Sequence, residues 1–454
     1  MKPSSSNSDP ALGGLFDGVL ARGPVRDAVS DQAWLQAMLD AEAALARALS
    51  LAGLIDPAAA KSIVRACRAE TFDIAAIGRD AADSGNPVVP LVQALRTAIE
   101  DPAVAGLVHR GATSQDILDT AAMLVAHRAL GPLLEDLVAG ADAAATMAAG
   151  HRDTLMAGRT LLQHALPITF GFKAAGWTVA LDEAGDRLDT VRRTRLAVQL
   201  GGAAGTLSSL GEDGLTVLRE FARELGLVEP AIAWHTNRTR IGELSGALGV
   251  AAGAIGKVAR DIVLMAQTEV AEVREGVPGR GGSSTLPHKR NPMAAVAAIA
   301  GAERAPALVT TLLAAMGQEH ERAAGAWHAE WTSLSALLET VGSAAAWIRD
   351  CLEHLEVDAE KMRANLDLTG GLLLGERIVA ALSPVIGRQA ADDLVTAAAE
   401  ETSRGKRSFE EALLDRPEVL EHLGPTEIAQ LLDPASYLGS ANAFVERVLA
   451  RRRR

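Results

Sequence analysis

The sequence is poor in aromatic residues, which make up only 3% of it, although 48% of its residues are apolar. Sheets favour aromatic and β-branched side chains, so this shortage argues against a predominantly β fold. Alanine, the strongest helix former, dominates long stretches instead. The composition therefore predicts an all-α protein of closely packed helices.

Cysteine is also scarce. Cys67 and Cys351 are the only two, which is too few for a disulfide framework or a cysteine metal cluster. The His and Glu residues near position 320 lack the spacing of a zinc site with two histidines on one helix face. We therefore expect no metal ion.

Positive charge is in deficit, because the net charge is −13 and the isoelectric point lies near 5.3. Nucleic-acid-binding proteins usually show the opposite balance, so we exclude nucleic acid as a partner. The first ten residues are polar and lack the apolar core of a signal peptide. We see no apolar run long enough to cross a bilayer. The expectation is a soluble cytoplasmic protein without a membrane partner.

Proline is missing from long central stretches. Before residue 105 it divides the chain into short predicted helices, of which Ser30–Leu49 has clear helical spacing with Ser30 or Asp31 as its N-cap. Ile241–Gly276 is predicted to form one helix of about 50 Å. Helices that are apolar on most sides must be covered by others, so we expect subunits to share a bundle. The predicted domains are residues 1–105, a central bundle 106–355 and residues 356–454.

A long loop, residues 278–293, lies between two of the predicted helices. It reads Pro-Gly-Arg-Gly-Gly-Ser-Ser-Thr-Leu-Pro-His-Lys-Arg-Asn-Pro-Met. Its glycines allow close packing on a ligand, and its prolines exclude regular helix. A mere connector would have about 2–8 residues, and loops of this kind tend to carry function. The alternative is an exposed linker with a chance basic cluster.

Two further polar blocks stand out against the alanine background. His109–Asp116 precedes a long helix, which Thr113 or Ser114 can cap, and a helix N-terminus is also a site for a carboxylate. Gly158–Pro167 places Gln163 and His164 in an apolar context. Simple helix capping and a satisfied core histidine are the structural alternatives to ligand binding.

Charge is concentrated in two more blocks. Trp234–Arg240 opens the longest predicted helix, where arginines do not suit the helix dipole. They are expected to bind anions or partner carboxylates, unless they form a plain interhelix salt bridge. Gln318–Trp331 combines mixed charge with tryptophans, which indicates a pocket wall or a subunit contact.

Together these blocks resemble the fumarase/aspartase superfamily. Gly282–Pro292 is similar to its signature loop, and Thr113–Asp116 and Gly158–Thr160 are similar to its other two family regions, in the same order. The resemblance covers nearly the whole chain. It implies the three-domain, all-α fold of that superfamily, a homotetramer with a central long-helix bundle, and active sites that are each built from three subunits.

Within the superfamily, the chain most resembles the bacterial cycloisomerases that act on 3-carboxy-cis,cis-muconate. The supporting segments are Leu15-Phe16, Arg22–Val25, Leu162–Ala165, Gly176-Trp177, Trp234-His235, Ser283–Pro292, Glu319–Trp331 and Asp433–Gly439.

Adenylosuccinate lyase is the runner-up because it has a similar loop, but it normally carries an Arg-Tyr pair near its N-terminus. Here the only tyrosine is Tyr437. Another dicarboxylate-eliminating lyase and a non-catalytic helical scaffold are further alternatives.

Two positions depart from the family pattern. Leu161 stands where many relatives have a His directly after Gly-Arg-Thr, so the role of that His cannot be transferred to this chain. His164, three residues later, matches a second His that adenylosuccinate lyases use. Leu286 replaces the usual Met, which nearly conserves volume.

The resemblance implies conversion of 3-carboxy-cis,cis-muconate to 4-carboxymuconolactone, a step of protocatechuate breakdown. A substrate carboxylate oxygen adds to one alkene carbon, and a proton is delivered to its neighbour. No cofactor is required, because the electrons rest on the substrate's own carboxylate, which fixed donors must stabilise. The expected partners are a small polycarboxylate and further copies of the chain.

Ser283 is the candidate for proton transfer, and its surroundings must activate it because a free serine hydroxyl is a poor base. His164 and Lys289 complete the catalytic set. Arg322 is the candidate carboxylate clamp, since guanidinium matches carboxylate geometry. The other candidates for substrate binding are His109, Thr113, Ser114, Gln163, Trp177, Asn237, Arg240, Ser284 and Asn291, with helix packing an equal explanation for Trp177.

Overall fold

The computed structural model describes residues 14–405 and 407–452. The first ten residues, whose polarity argues against a signal peptide, lie outside this part of the chain. Helices dominate the described residues, as the composition predicts.

Short helices fill the first part of the chain, and they confirm the helices predicted between the prolines. Ser30 caps α3 by accepting a hydrogen bond from the Ala33 N–H at 3.3 Å, which confirms the predicted start. The seven helices are α1 (Asp17–Leu20), α2 (Val25–Ala28), α3 (Asp31–Leu51), α4 (Pro57–Ala66), α5 (Ile74–Ser84), α6 (Val88–Thr97) and α7 (Pro102–Ala105).

Longer helices follow, together with four short strands that the sequence analysis did not predict. The helices are α8 (Ser114–Gly150), α9 (Phe170–Thr194), α10 (Gly214–Leu225), α11 (Thr239–Met265), α12 (Met293–Ala314) and α13 (Ala326–Glu353). The strands are β1 (Leu155–Thr160), β2 (Gln163–Thr169), β3 (Val273–Glu275) and β4 (Leu355–Val357). They form two antiparallel pairs, β1 with β2 and β3 with β4.

Shorter helices return in the last part of the chain. They are α14 (Ala359–Leu366), α15 (Gly375–Ile386), α16 (Arg388–Ser403), α17 (Phe409–Leu414), α18 (Pro417–Leu420), α19 (Pro425–Leu431) and α20 (Ala441–Arg452). Single turns of 3₁₀ helix occur at Ala69–Thr71, Ser208–Asp213, Asp367–Thr369, Leu372–Leu374 and Pro434–Ser436.

The long helix predicted over Ile241–Gly276 is wrong at its end. It ends at Met265, because the chain turns back there: the Glu272 N–H bonds to the Met265 carbonyl at 2.9 Å, and Ala271 has a φ of +49°. Two other long helices contain a proline, since α8 continues through Pro132 and α12 through Pro306.

The chain divides into two compact units. The first contains the described residues up to Val138, Leu181–Lys257 and Val296–Arg349. The second contains Ala139–Ala180, Val258–Ala295 and the described residues from Asp350 onwards. The division at 105 and 356 stays a prediction, and it coincides with the end of α7 and with β4.

In the first unit, α3 packs against α4, α5 and α10 through its buried alanine and leucine side chains. In the second unit, α15, α16 and α17 enclose a core that includes Ile378, Val395 and Phe409. The β1–β2 hairpin belongs to this second unit and contacts α14. Each unit thus has a hydrophobic core of its own.

Helices α8 and α12 are long and apolar enough, by length and composition, to cross a membrane. A bent pair, Ala359–Thr369 with Leu372–Ile386, meets the same test when taken together. The prediction that no run is long enough is therefore wrong by this measure. The apolar window of α8 is 72% buried inside the protein, whereas that of α12 is 33% buried. A single chain thus leaves much of α12 uncovered.

Arg238 forms the most deeply buried ion-pair network in the first unit, with 1% of its side chain exposed. Its guanidinium donates to Asp119 at 2.7 and 2.9 Å and to Glu330 at 3.0 Å. The Trp327 indole N–H also donates to Asp119, at 2.9 Å. The network therefore joins α8, α11 and α13.

We expect Arg238→Ala to destabilise the protein by about 3–5 kcal/mol, because it leaves two buried carboxylates without their cationic partner. Arg68→Ala is the control: Arg68 pairs with Glu70, but both side chains are more than half exposed, so its loss should change stability by less than about 1 kcal/mol. Chemical denaturation of both variants measures the difference. Equal stabilities would contradict the assignment.

Candidate active site

Asp116, near the start of α8, joins three segments of the first unit. Its fully buried carboxylate accepts hydrogen bonds from the N–H groups of Thr113 at 2.9 Å, Gly201 at 3.0 Å and Gly202 at 2.9 Å. The His235 Nε2 lies 2.7 Å from the same carboxylate and donates to it. Asp116 thereby holds the glycine-rich loop Gly201–Gly205 and the buried His235 against Thr113–Asp116, a segment that resembles one of the superfamily's conserved regions.

The hydroxyls of Thr113 and Ser114 make no hydrogen bond within the described residues. The expectation that one of them caps α8 is wrong, because the Asp116 N–H bonds to the Thr113 backbone carbonyl at 2.9 Å and the Asp116 side chain bonds back to the Thr113 N–H. Both residues are partly exposed. Their hydroxyls are therefore available to an external oxygen ligand.

Arg322 lies beside this segment. Its Nε donates to the Ala203 carbonyl at 3.1 Å, its Nη2 to the Gly202 carbonyl at 3.0 Å, and its Nη1 approaches the Gln115 Oε1 at 3.4 Å. The structure thus brings Arg322 together with the start of α8. Its role as a carboxylate clamp stays a prediction. The N–H groups of Arg322 that make none of these three contacts are available to bind a carboxylate.

The Trp234–Arg240 block is largely occupied by structural contacts. Arg238 forms the interhelix salt bridge described above, so that alternative is realised there. The Asn237 Oδ1 accepts a hydrogen bond from the Thr239 Oγ1 at 2.7 Å at the start of α11, and the Arg240 Nη1 donates to the Arg195 carbonyl at 2.8 Å. Substrate binding by Asn237 and Arg240 stays a prediction.

In the second unit, Gln163 and His164 lie at the start of β2, directly after a tight hairpin turn. Leu161 and Leu162 form the turn with φ values of +50° and +66°, and they are 96% and 72% exposed. Such values are uncommon for residues other than glycine, although a two-residue hairpin turn can require them. The turn presents Gln163 as an exposed side chain.

His164 is partly buried, and its Nδ1 has no hydrogen-bond partner among the described residues. Burial lowers the pKa of this imidazole, and the nearby Arg159 guanidinium lowers it further, against a smaller opposing effect of Glu272. Arg159 is held in place by two hydrogen bonds to Glu272, at 2.7 and 2.9 Å. The arrangement keeps His164 neutral near pH 7, so it can accept a proton.

The loop of residues 278–293, here called the signature loop, is non-helical as predicted up to Pro292, and Met293 begins α12. The N–H and the Nδ2 of Asn291 both donate to the Gly281 carbonyl, at 2.8 and 3.0 Å, and Gly282 forms a β-bridge with Arg290. At the base, Arg280 bonds to Asp350. One Nδ2–H of Asn291 therefore closes the loop, and the predicted contact with a substrate carboxylate is left to the second Nδ2–H.

Ser283 lies inside the signature loop. Its Oγ accepts hydrogen bonds from the N–H of Leu286 at 3.1 Å and, less closely, from that of Thr285 at 3.3 Å. Two N–H groups directed at one hydroxyl oxygen stabilise negative charge on it. Ser284 and Lys289 are exposed on the same loop.

Trp177 corrects the sequence analysis. Its side chain is 1% exposed, its indole N–H donates to Asp261 at 2.8 Å, and its ring packs edge-on against Phe170. The helix-packing explanation holds, and the prediction that Trp177 lines a substrate pocket is wrong.

No hydrogen bond within the described residues joins Gln163 or His164 to the signature loop.

Some residues of this site carry no prediction from the sequence. Asp116 and the loop Gly201–Gly205 were given no role, although the Gly-Gly-Ala-Ala-Gly run is a visible signal for close backbone approach. Glu42, which lies 2.6 Å from His109, was likewise not predicted. Among the described residues, no group of three His, Cys, Asp or Glu side chains is placed to hold a metal ion.

Comparison with known proteins shows similarity along nearly the whole chain. A family model described as Lyase matches residues 20–306, and one described as Adenylosuccinate lyase C-terminus matches residues 371–448. The 3-carboxy-cis,cis-muconate cycloisomerase of Bradyrhizobium diazoefficiens is 47% identical over 97% of this chain and 98% of its own length. The nitrosuccinate lyase of Streptomyces davaonensis is 46% identical over 96% of this chain and 94% of its own length.

Among solved structures, the 3-carboxy-cis,cis-muconate lactonizing enzyme from Pseudomonas putida has a TM-score of 0.91 and 42% identity. The match covers 97% of this chain and 99% of that chain. The likeness therefore extends over the whole fold.

We expect Gly281→Ala to open the signature loop, because Gly281 has a φ of +73° and an added Cβ would lie 2.1 Å from the Asn291 carbonyl oxygen. The left-handed backbone alone costs about 1–2 kcal/mol, which predicts roughly tenfold faster hydrogen exchange of the Asn291 amide. Gly282→Ala is the matched control, since nothing lies within 4 Å of its added Cβ. Unchanged protection in Gly281→Ala would show that this contact does not close the loop.

Proposed function

Because the chain belongs to the fumarase/aspartase superfamily and has its all-α fold, we propose that it is a 3-carboxy-cis,cis-muconate cycloisomerase. The proposed reaction interconverts 3-carboxy-cis,cis-muconate and 4-carboxymuconolactone in protocatechuate catabolism. Similarity to cycloisomerases at 42–47% identity over nearly the full length supports this choice of substrate.

The observation that carries the proposed chemistry is the environment of Ser283. Its hydroxyl oxygen faces the N–H groups of Thr285 and Leu286. A serine hydroxyl releases its proton only where the resulting alkoxide is stabilised. Fixed N–H donors provide that stabilisation without reorganisation during the reaction, and Lys289 on the same loop adds positive charge.

In the lactonising direction, a carboxylate oxygen of the substrate forms a bond to one alkene carbon. The Ser283 hydroxyl gives its proton to the adjacent carbon, and the alkoxide is then reprotonated from water by relay through His164. As free acids, substrate and product are isomers; in their ionised forms the trianion becomes a dianion, so one proton is taken up from the solvent and no other reactant is consumed. In the reverse direction, Ser283 removes a proton next to a carboxylate and the carboxylate oxygen leaves.

The substrate is a trianion, whereas the protein carries a net charge of −13. Donors must therefore be concentrated locally to bind it. The residues proposed to hold its carboxylates are Thr113, Ser114, Gln163, Ser284, Asn291 and Arg322, with Asn237 and Arg240 as outer contributors. The hydroxyls of Thr113 and Ser114 and the remaining N–H groups of Arg322 support this assignment.

We propose that the complete site forms in a homotetramer, with segments from three subunits. Enzymes of this superfamily are typically oligomeric. Helices α11 and α12 also leave large apolar side chains exposed, among them Val250 at 49%, Val296 at 43% and Leu313 at 47%. Such surface is normally covered by another chain. We also propose that the assembly is soluble and cytoplasmic.

Nitrosuccinate lyase activity is the second candidate, because that relative is 46% identical over nearly the full length. The shared step would be removal of a proton next to a carboxylate, followed by loss of a leaving group. Adenylosuccinate lyase activity is a weaker alternative, supported by the match over residues 371–448.

We predict that the purified protein removes the diene absorbance of 3-carboxy-cis,cis-muconate, and that Ser283→Ala lowers kcat by a factor of at least about a thousand. Ser333→Ala is the control: its hydroxyl lies on α13 and bonds to the Ala329 carbonyl. Turnover above a tenth of the wild-type rate would remove Ser283 from the reaction. Turnover of nitrosuccinate or adenylosuccinate alone would overturn the proposed substrate.

Shared sites predict complementation between inactive variants. Ser283→Ala and His164→Gln should each be inactive as homotetramers. If the two residues of one site come from different subunits, co-refolded mixtures regain about a quarter of the wild-type rate, since each position is intact in half of the chains. Assays before and after co-refolding measure this. A mixture that stays inactive would mean that one subunit supplies both residues.

A further inference from the structure

Glu42 is a buried ionisable side chain of α3. It is 1% exposed, its Oε1 lies 2.6 Å from the His109 Nδ1, and its buried Oε2 has no hydrogen-bond partner within the described residues. A buried carboxylate persists where a partner compensates the loss of water. The only hydrogen bond of the Glu42 side chain within the described residues is to His109, so this histidine is that partner.

His109 is held in an uncommon conformation. Its φ is +67°, a value that few residues other than glycine adopt. The carbonyl of Val108 accepts a hydrogen bond from Arg96 at 3.0 Å, and the His109 carbonyl accepts one from Ala112 at 3.3 Å. Strained backbone of this kind persists where surrounding contacts determine it, and it often marks functional positions.

The turn that contains His109 lies against the candidate site. A Cβ added at Gly202 would lie 3.1 Å from the Gly111 carbonyl oxygen, so the glycine-rich loop touches this turn. That loop is the one that Asp116 and Arg322 hold. The Nδ1 of His109 is occupied by Glu42, while its Nε2 makes no hydrogen bond within the described residues and the ring is 16% exposed.

We propose that Glu42 is a positioning residue that keeps His109 protonated, with its Nε2–H directed to a substrate carboxylate. His109 then acts as a fixed cationic donor, and proton relay is left to His164. This inference rests on the proposed function for the identity of the carboxylate. The pairing of Glu42 with His109 is independent of it.

The charges around His109 support this assignment. Burial lowers the pKa of the imidazole, and Arg96 on α6 does so slightly. The hydrogen bond and charge of Glu42 on α3, together with the charge of Asp116 on α8, outweigh both effects, so the pKa is raised. A raised histidine pKa stabilises the fold below the usual range of histidine, and this contribution is lost as the pH rises through the raised value.

Glu42→Gln tests the proposal, because the amide keeps an acceptor for Nδ1–H but removes the charge. We expect the His109 pKa, measured by histidine C2-hydrogen exchange and mass spectrometry, to fall by about one unit or more. Near neutral pH, KM for 3-carboxy-cis,cis-muconate should rise about tenfold with little change in kcat. The rise should shrink as the pH is lowered, since His109 then charges again.

Glu42→Asp is the conservative variant and should restore part of the shift, because it keeps the charge. Glu220→Gln, on α10, removes one negative charge elsewhere in the same unit and should leave the His109 pKa and KM unchanged. A pH-independent change in KM, or a His109 pKa unchanged in Glu42→Gln, would overturn the proposal. If the wild type does not turn over the substrate, the proposed function fails, while hydrogen exchange still tests the Glu42–His109 pair.

Discussion

The candidate site depends on the hydrogen bonds that the buried carboxylate of Asp116 accepts. It receives hydrogen bonds from Thr113, from both Gly201 and Gly202, and from His235. These groups come from the start of α8, from a glycine-rich loop and from the segment before α11. Because a fully buried carboxylate requires such donors, the three segments cannot move apart independently. The backbone that surrounds the Thr113 and Ser114 hydroxyls is therefore rigid before any substrate arrives.

The signature loop is held in place mainly by hydrogen bonds between its own residues. Its base is closed by hydrogen bonds between Gly281 and Asn291, and its interior directs two N–H groups at the Ser283 oxygen. The environments of His109 and His164 differ from each other. His109 beside Glu42 and His164 beside Arg159 have pKa values shifted in opposite directions. Burial and neighbouring charge together thus shift the pKa of the same kind of side chain in opposite directions in one protein.

Several features follow from sequence pattern because they are local. Helix spacing and capping place the start of α3, and the run of glycine and proline in residues 278–293 excludes helix. Other features failed because they depend on distant partners. The helix from residue 239 stops at Met265 so that β3 can pair with β4, and no local signal marks this. From the sequence, Trp177 fits a pocket-lining residue and a core residue equally well, and only its hydrogen bond to Asp261 distinguishes the two.

The sequence alone determined the all-α class and the superfamily and predicted Ser283 of the signature loop as the proton-transfer residue, since composition and short motifs carry that information directly. Tertiary structure decided which polar groups have partners. It assigned Arg238 to a buried ion pair, Trp177 to packing, and Glu42 to His109 across 67 residues of chain. Partner choice depends on which side chains folding removes from water together, and no spacing within one segment specifies that.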